Sequence, residues 1–135
     1  NTAYGNFLGT GTNLLVQGNT YDNNLIGVAV NGANQGGVVQ GGTSATIIGN
    51  YFVVPGPDTD DLAIFVYGAG TAVVGGDGAK KNTFESFKQQ YVWHMQPDPN
   101  TDAYGTINGG DSLSFDDANI FIDCPTPHGF IGPIV

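Results

Sequence analysis

The chain has 135 residues, room for one domain at most, and a formal net charge of −9 from 12 acids against 3 lysines. With no arginine and no basic stripe, it lacks the cations that displace phosphate counterions, which argues against nucleic acid and against an anionic membrane surface as partners. No apolar run approaches the roughly 20 residues that cross a bilayer, so membrane insertion is not expected, and Cys124 stands alone, which excludes an internal disulfide and disfavours a zinc cluster.

Only 11% of residues are charged and 22 are glycine, a composition that suits stacked strands joined by tight turns better than helices. In chain order the pattern predicts strands over Leu14–Gln17, Leu25–Val30 and Val38–Gln40. It predicts a second set over Thr46–Ile48, Leu62–Tyr67 and Thr71–Val74, and a looser third over Thr83–Phe84, Gln90–His94 and Gly105–Ile107. A partial fourth set begins at Leu113–Phe115 and continues through Ile120–Ile122. Between these pieces lie Gly, Asn, Asp and Pro, which tolerate left-handed or fixed backbone angles.

A phrase recurs along this series, an Asn two places before an aromatic: Asn19-Thr20-Tyr21, Asn50-Tyr51-Phe52, Asn82-Thr83-Phe84 and Asn119-Ile120-Phe121. The Asn-to-Asn steps are 31, 32 and 37 residues. The Gly pairs at Gly41-Gly42, Gly75-Gly76 and Gly109-Gly110 keep similar time. A period of this size means stacked units rather than one closed globule, and three strands per unit without helical periodicity is the pattern of a parallel β-helix. An Asn at the same turn of each unit can turn left-handed and pass amide hydrogen bonds up the stack. Asn19, Asn50 and Asn82 are therefore expected to be structural, with Tyr21, Phe52 and Phe84 stacked inside. An antiparallel barrel or sandwich stays open as the other architecture, since Asn31-Gly32, Asp77-Gly78 and Asn108-Gly109 could close hairpins.

The phrases GNTYDNNLIGVAV (18–30), ATIIGNYF (45–52) and KNTFESF (81–87) resemble the repeats of right-handed parallel β-helix proteins, the phage tailspike and pectin-lyase-like superfamily. The resemblance covers about Leu14 to Gly110. It implies an all-β chain, a right-handed parallel β-helix of about three to four coils over 1–112, with 113–135 as a C-terminal cap or oligomer contact. So short a stack exposes unpaired edges at both ends, which makes it a fragment or a self-associating subunit. By the same resemblance the assembly would be a homotrimer, with a filament as the other form.

Alternation along the middle strand turns Ile26, Val28, Val30, Leu62, Ile64, Val66 and Val92 inward and Phe65, Tyr67, Tyr91, Trp93 and Met95 outward. Phe65, Tyr67, Tyr91 and Trp93 are the candidate ligand-binding residues, since a column of exposed rings is a platform for sugars or a seam between protomers. Acids gather before that strand at Asp22, Asp58, Asp60, Asp61 and Glu85. Asp61 with Glu85 is the candidate catalytic pair, because glycoside hydrolysis needs two facing carboxylates. Tailspike-like and pectin-hydrolysing families use carboxylates on a β-helix face, yet no intact family motif is present here. A lyase fits less well, because the chain has no arginine and its charge would repel a polyuronate.

Metal patterns are incomplete. Asp98-Pro99-Asn100-Thr101-Asp102 begins like a Ca²⁺ loop, but Ala103 and Gly109 stand where a glycine and a bidentate Glu belong. Gly75-Gly76-Asp77-Gly78 begins like a Ca²⁺ β-roll, with Lys80 in a ligand position. No metal residue is assigned and no cofactor is expected, Ca²⁺ being the only one these loops leave open. His94 and His128 are isolated, and Cys124 reads as a bystander. The expected function is an extracellular or virion spike or fibre module for adhesion or receptor contact, with a surface polysaccharide or glycan as partner. A β-helix glycoside hydrolase is the alternative, a structural filament subunit the second, and the balance leans away from an enzyme.

Overall fold

A computed structural model describes residues 4–8, 13–32, 43–54, 56, 62–125 and 128–132. Every strand pairing in it is parallel, which settles the choice between a stacked helix and hairpins. Three sheets form the walls of a β-solenoid. The first wall carries β1 (Tyr4–Leu8), β4 (Ile26–Gly32), β7 (Leu62–Gly68), β10 (Trp93–Gln96) and β13 (Gly129–Ile131) in that order. The second carries β2 (Asn13–Gln17), β5 (Ser44–Ile48), β8 (Thr71–Val74) and β11 (Thr106–Gly109). The third carries β3 (Thr20–Asp22), β6 (Tyr51–Val53), β9 (Thr83–Glu85) and β12 (Ile120–Ile122). The only helix among the described residues is a 3₁₀ turn at Gly78–Lys80.

Each wall is built on period-two alternation. Val16, Ile47 and Val74 form one inward column of the second wall, and Val28 and Ile64, with Val30 and Val66, form two in the first. Inside the third wall Tyr21, Phe52, Phe84 and Phe121 stack ring on ring at 4.7, 5.0 and 5.5 Å, with planes within 20° of parallel. Gly27 sits where a Cβ would meet the Phe52 ring at 2.9 Å and the Ala63 carbonyl at 2.7 Å, so the first wall closes on the aromatic stack only with a glycine there.

The asparagine ladder runs along the corner between the second and third walls. The backbone N–H groups of Asn19, Asn50 and Asn82 donate to Oδ1 of Asn50, Asn82 and Asn119 at 2.9, 2.9 and 3.2 Å. The side-chain amides of the same three residues donate to the same acceptors at 3.2, 3.0 and 3.0 Å. In the first two coils the left-handed residue of this turn is the preceding glycine, not the asparagine: Gly18 and Gly49 have φ of 70° and 64°, whereas Lys81 before Asn82 is extended at φ −60°. At the corner between the third and first walls, Asn23, Ser86 and Asp123 take positive φ instead.

Several elements lie differently from the pattern's prediction. The three-residue strands β3 and β6 belong to a third wall distinct from that of β2 and β5, so Thr83–Glu85 pairs with Tyr51–Val53 and not with Thr46–Ile48. Leu113–Phe115 lies in the turns before β12. Val38–Gln40 and the pair Gly41-Gly42 lie outside the described residues. As the pattern predicts, Ile120–Ile122 is a strand, β12 of the third wall, and Gly129–Ile131 adds β13 to the first.

Candidate functional site

The outward residues of the first wall bring together a band of rings. Ala29, Phe65, His94 and Phe130 occupy one outward column, and Asn31, Tyr67 and Gln96 the next. Tyr67 stacks on Phe65 at 5.8 Å, and Phe65 meets His94 at 5.4 Å. His94 meets Phe130 at 5.0 Å, and Phe130 stacks on Tyr91 at 5.5 Å. Tyr91 is the most exposed of the three expected rings in this band. His94 is packed within it, its Nε2 at 2.8 Å from the Gly132 carbonyl. Beside Tyr67, Oε1 of Gln96 is buried and has no hydrogen-bond partner among the described residues.

Trp93 and Met95 do not join this face. Trp93 pairs with Ile64 and Met95 with Val66, both in inward columns, and both pack against the core. The cause is a bulge. The N–H groups of Val92 and Trp93 share the His128 carbonyl, and those of Ala63 and Ile64 share the Val92 carbonyl. Alternation slips by one residue there, so Val92 and Trp93 both face inward. Gly129 completes the packing, since a Cβ at that residue would meet the indole at 1.8 Å.

Of the candidate carboxylates, Asp58, Asp60 and Asp61 lie outside the described residues. Glu85 is half-buried on the outer face of the third wall, in the column Asp22–Val53–Glu85. The Tyr51 hydroxyl donates to Glu85. Desolvation holds the phenol above its ordinary pKa, helped by that hydrogen bond and by the charges of Glu85 and Asp22. A phenol so placed is not an activated nucleophile.

A second constellation joins His128, Asp116 and Cys124. His128 stacks on Phe121 at 4.0 Å, places Nδ1 3.0 Å from the Asp116 carboxylate and Nε2 3.1 Å from the backbone carbonyl of Cys124. The ring thus engages the Cys124 backbone and leaves the thiol to the Phe84 and Ile122 carbonyls, at 3.1 and 3.3 Å. Burial pushes the Cys124 thiol pKa up, the reverse of what a nucleophilic cysteine needs. The carboxylate of Asp98 accepts the Asn100 N–H at 2.8 Å within its turn, and Asp111 accepts the Asp77 N–H and pairs with Lys80. Among the described residues no three His, Cys, Asp or Glu side chains converge as a metal ion would require.

His94 and Phe130 are the members of the ring band that the sequence pattern does not reveal. His94 follows the bulge, which hides its outward direction, and Phe130 joins only because β13 returns to the first wall. Compared with known protein families, curated proteins and solved structures, the chain finds no match.

Proposed function

We propose that this chain is a rigid module of an extracellular or virion spike or fibre, of the tailspike-like kind, that holds surface glycan without cleaving it. The observation that carries this reading is the ring band on the outside of the first wall, from Tyr67 through Phe65, His94 and Phe130 to Tyr91. Sugar rings offer an apolar C–H face to aromatic planes and hydroxyls to polar rims, and a β-solenoid wall holds such planes at fixed spacing. The test is a glycan array followed by calorimetry on the best ligand. Tyr67→Ala and Tyr91→Ala should each weaken binding about tenfold, as loss of a stacking ring does. Absence of binding to any glycan would overturn the reading.

The third wall favours a second reading. Asp22 and Glu85 face outward two strand spacings apart, on the order of 10 Å between their backbones, near the separation of carboxyls in inverting glycosidases. On that reading the array ligand would be cleaved, with reducing ends released by the wild type and not by Glu85→Gln. Binding without release leaves the adhesive reading in place.

A further inference from the structure

The asparagine ladder has a direction. At each step the earlier Asn donates its N–H to Oδ1 of the later one. The residue after the later Asn returns an N–H to the earlier carbonyl: Tyr51 to Asn19, Thr83 to Asn50 and Ile120 to Asn82, at 2.9, 2.9 and 2.8 Å. At the last rung the N–H and carbonyl of Asn119 have no further Asn to meet, and at the first, Oδ1 of the exposed Asn19 and the Thr20 N–H have none. The two ends are thus the two halves of the contact that joins each coil to the next. The walls agree, with β1, β2 and β3 as edge strands at one end and β11, β12 and β13 at the other.

One strand is in excess. The first wall has five strands and the others four, so β13 already stands on β10, where β1 of a following unit belongs. His128 likewise lies on Phe121 at 4.0 Å, with planes 10° apart, where the next ring of the stack would sit. The cover is partial, since Ile131 ends the inward column of Val66 and Met95 and is 56% exposed.

We propose that His128 and β13 are a cap that blocks head-to-tail joining, and that what they exclude is the first coil of a second copy. Open strand edges template further pairing, and stacked-repeat proteins close their ends to prevent it. A foreign strand would satisfy one edge. The first coil of this chain brings three parallel strands together with Asn19 Oδ1 and the Thr20 N–H, at the spacing every internal coil already uses. Such a joint is heterologous and does not close, so uncapped copies grow into a filament. The proposal does not rest on glycan binding, although displacing β13 takes Phe130 out of the ring band.

Gly129→Val opens the cap, because any Cβ at that residue meets the Trp93 indole at 1.8 Å and expels β13. Light scattering over a range of concentrations should give a constant mass for the wild type and a mass that keeps growing for Gly129→Val. Adding Asn19→Ala, at the opposite end of the stack, removes the Oδ1 acceptor and should raise the concentration needed for growth about tenfold. Clumping through a bared Trp93 would ignore that change. His128→Ala lifts the ring from Phe121 and leaves Gly129 in place; it should grow at higher concentration than Gly129→Val, and it carries the test if circular dichroism shows Gly129→Val unfolded. Constant mass in every folded variant, growth that Asn19→Ala does not slow, or growth of the wild type would overturn the proposal.

Discussion

Oδ1 of Asn82 accepts two hydrogen bonds from Asn50, one from its backbone N–H at 2.9 Å and one from its side-chain amide at 3.0 Å. Asn82 in turn donates its own amide to the Ile47 carbonyl at 2.8 Å and to Oδ1 of Asn119 at 3.0 Å, while fully buried. Each rung therefore satisfies polar groups of the rungs on both sides, and the ladder joins neighbours that share few contacts along the chain. Buried groups that lose such partners pay the full cost of desolvation.

Asn82→Ala should accordingly cost about 1–3 kcal/mol, since it strands the Asn50 N–H, while the Ile47 carbonyl keeps the Gly75 N–H at 2.8 Å. Asn82→Asp is the sharper test. It keeps the shape and the acceptor, but a carboxylate cannot donate to Ile47 or Asn119 and sets oxygen against oxygen. Denaturant unfolding should rank Asn82→Asp at least as destabilised as Asn82→Ala. Wild-type stability in Asn82→Asp at neutral pH would show that the ladder is decorative.

Phe84 is fully buried between Phe52 and Phe121 and meets Phe87 edge-on at 6.3 Å. Phe84→Ala should cost about 3–5 kcal/mol, the range for emptying an aromatic site in a packed core. Phe84→Leu keeps much of the volume and loses the ring stacking, so its cost should be roughly half as large. The same unfolding measurement separates the two, and equal costs would mean that volume alone matters.

The ladder and the ring stack were legible in the sequence because both use side-chain chemistry that must repeat. An Asn two places before an aromatic is readable at Asn19, Asn50, Asn82 and Asn119 without coordinates, and the structure places these residues in one corner and one wall. The phase of the walls was less legible. Strands of three residues such as Thr20–Asp22 and Tyr51–Val53 are too short to show alternation, so they read as turns. The candidate site was half legible for a related reason. Phe65 and Tyr67 alternate outward as the pattern requires, whereas the bulge at Val92 reverses Trp93 and brings out His94. A bulge depends on which carbonyl two successive N–H groups share, and residue types do not encode that.

Asp111 links two coils at the corner of the second and third walls. The Asp77 N–H donates to it at 2.8 Å and Lys80 pairs with it at 3.1 Å, and these, the N–H first, hold its pKa below the ordinary 3.8. A carboxyl depressed in the folded state contributes stability that is complete above its unfolded pKa and is lost as pH falls through the folded value. Stability of the wild type should therefore decline as pH drops below about 4, and Asp111→Asn should flatten that part of the profile while lowering stability at neutral pH. The side chain is exposed enough that the effect will be modest and reduced by salt. An unchanged acid limb in Asp111→Asn would show that the corner acid does not contribute.

Tyr51 reports on the carboxylates of the third wall from the alkaline side. Desolvation, the hydrogen bond to Glu85 and the charges of Glu85 and Asp22 all raise its pKa above 10.0. The folded state therefore keeps this proton where the unfolded chain has released it, so stability should fall as pH rises through and beyond 10. Ultraviolet titration of the folded protein should show one of the 6 tyrosines ionising late. Glu85→Gln removes a charge and a carboxylate acceptor, and should return that tyrosine toward the ordinary range; Asp22→Asn, the smallest contributor, should move it less. If Glu85→Gln leaves the titration unchanged, Tyr51 and Glu85 are not in contact in solution, and the carboxylate face of the third wall loses the ordering that a glycosidase reading would need.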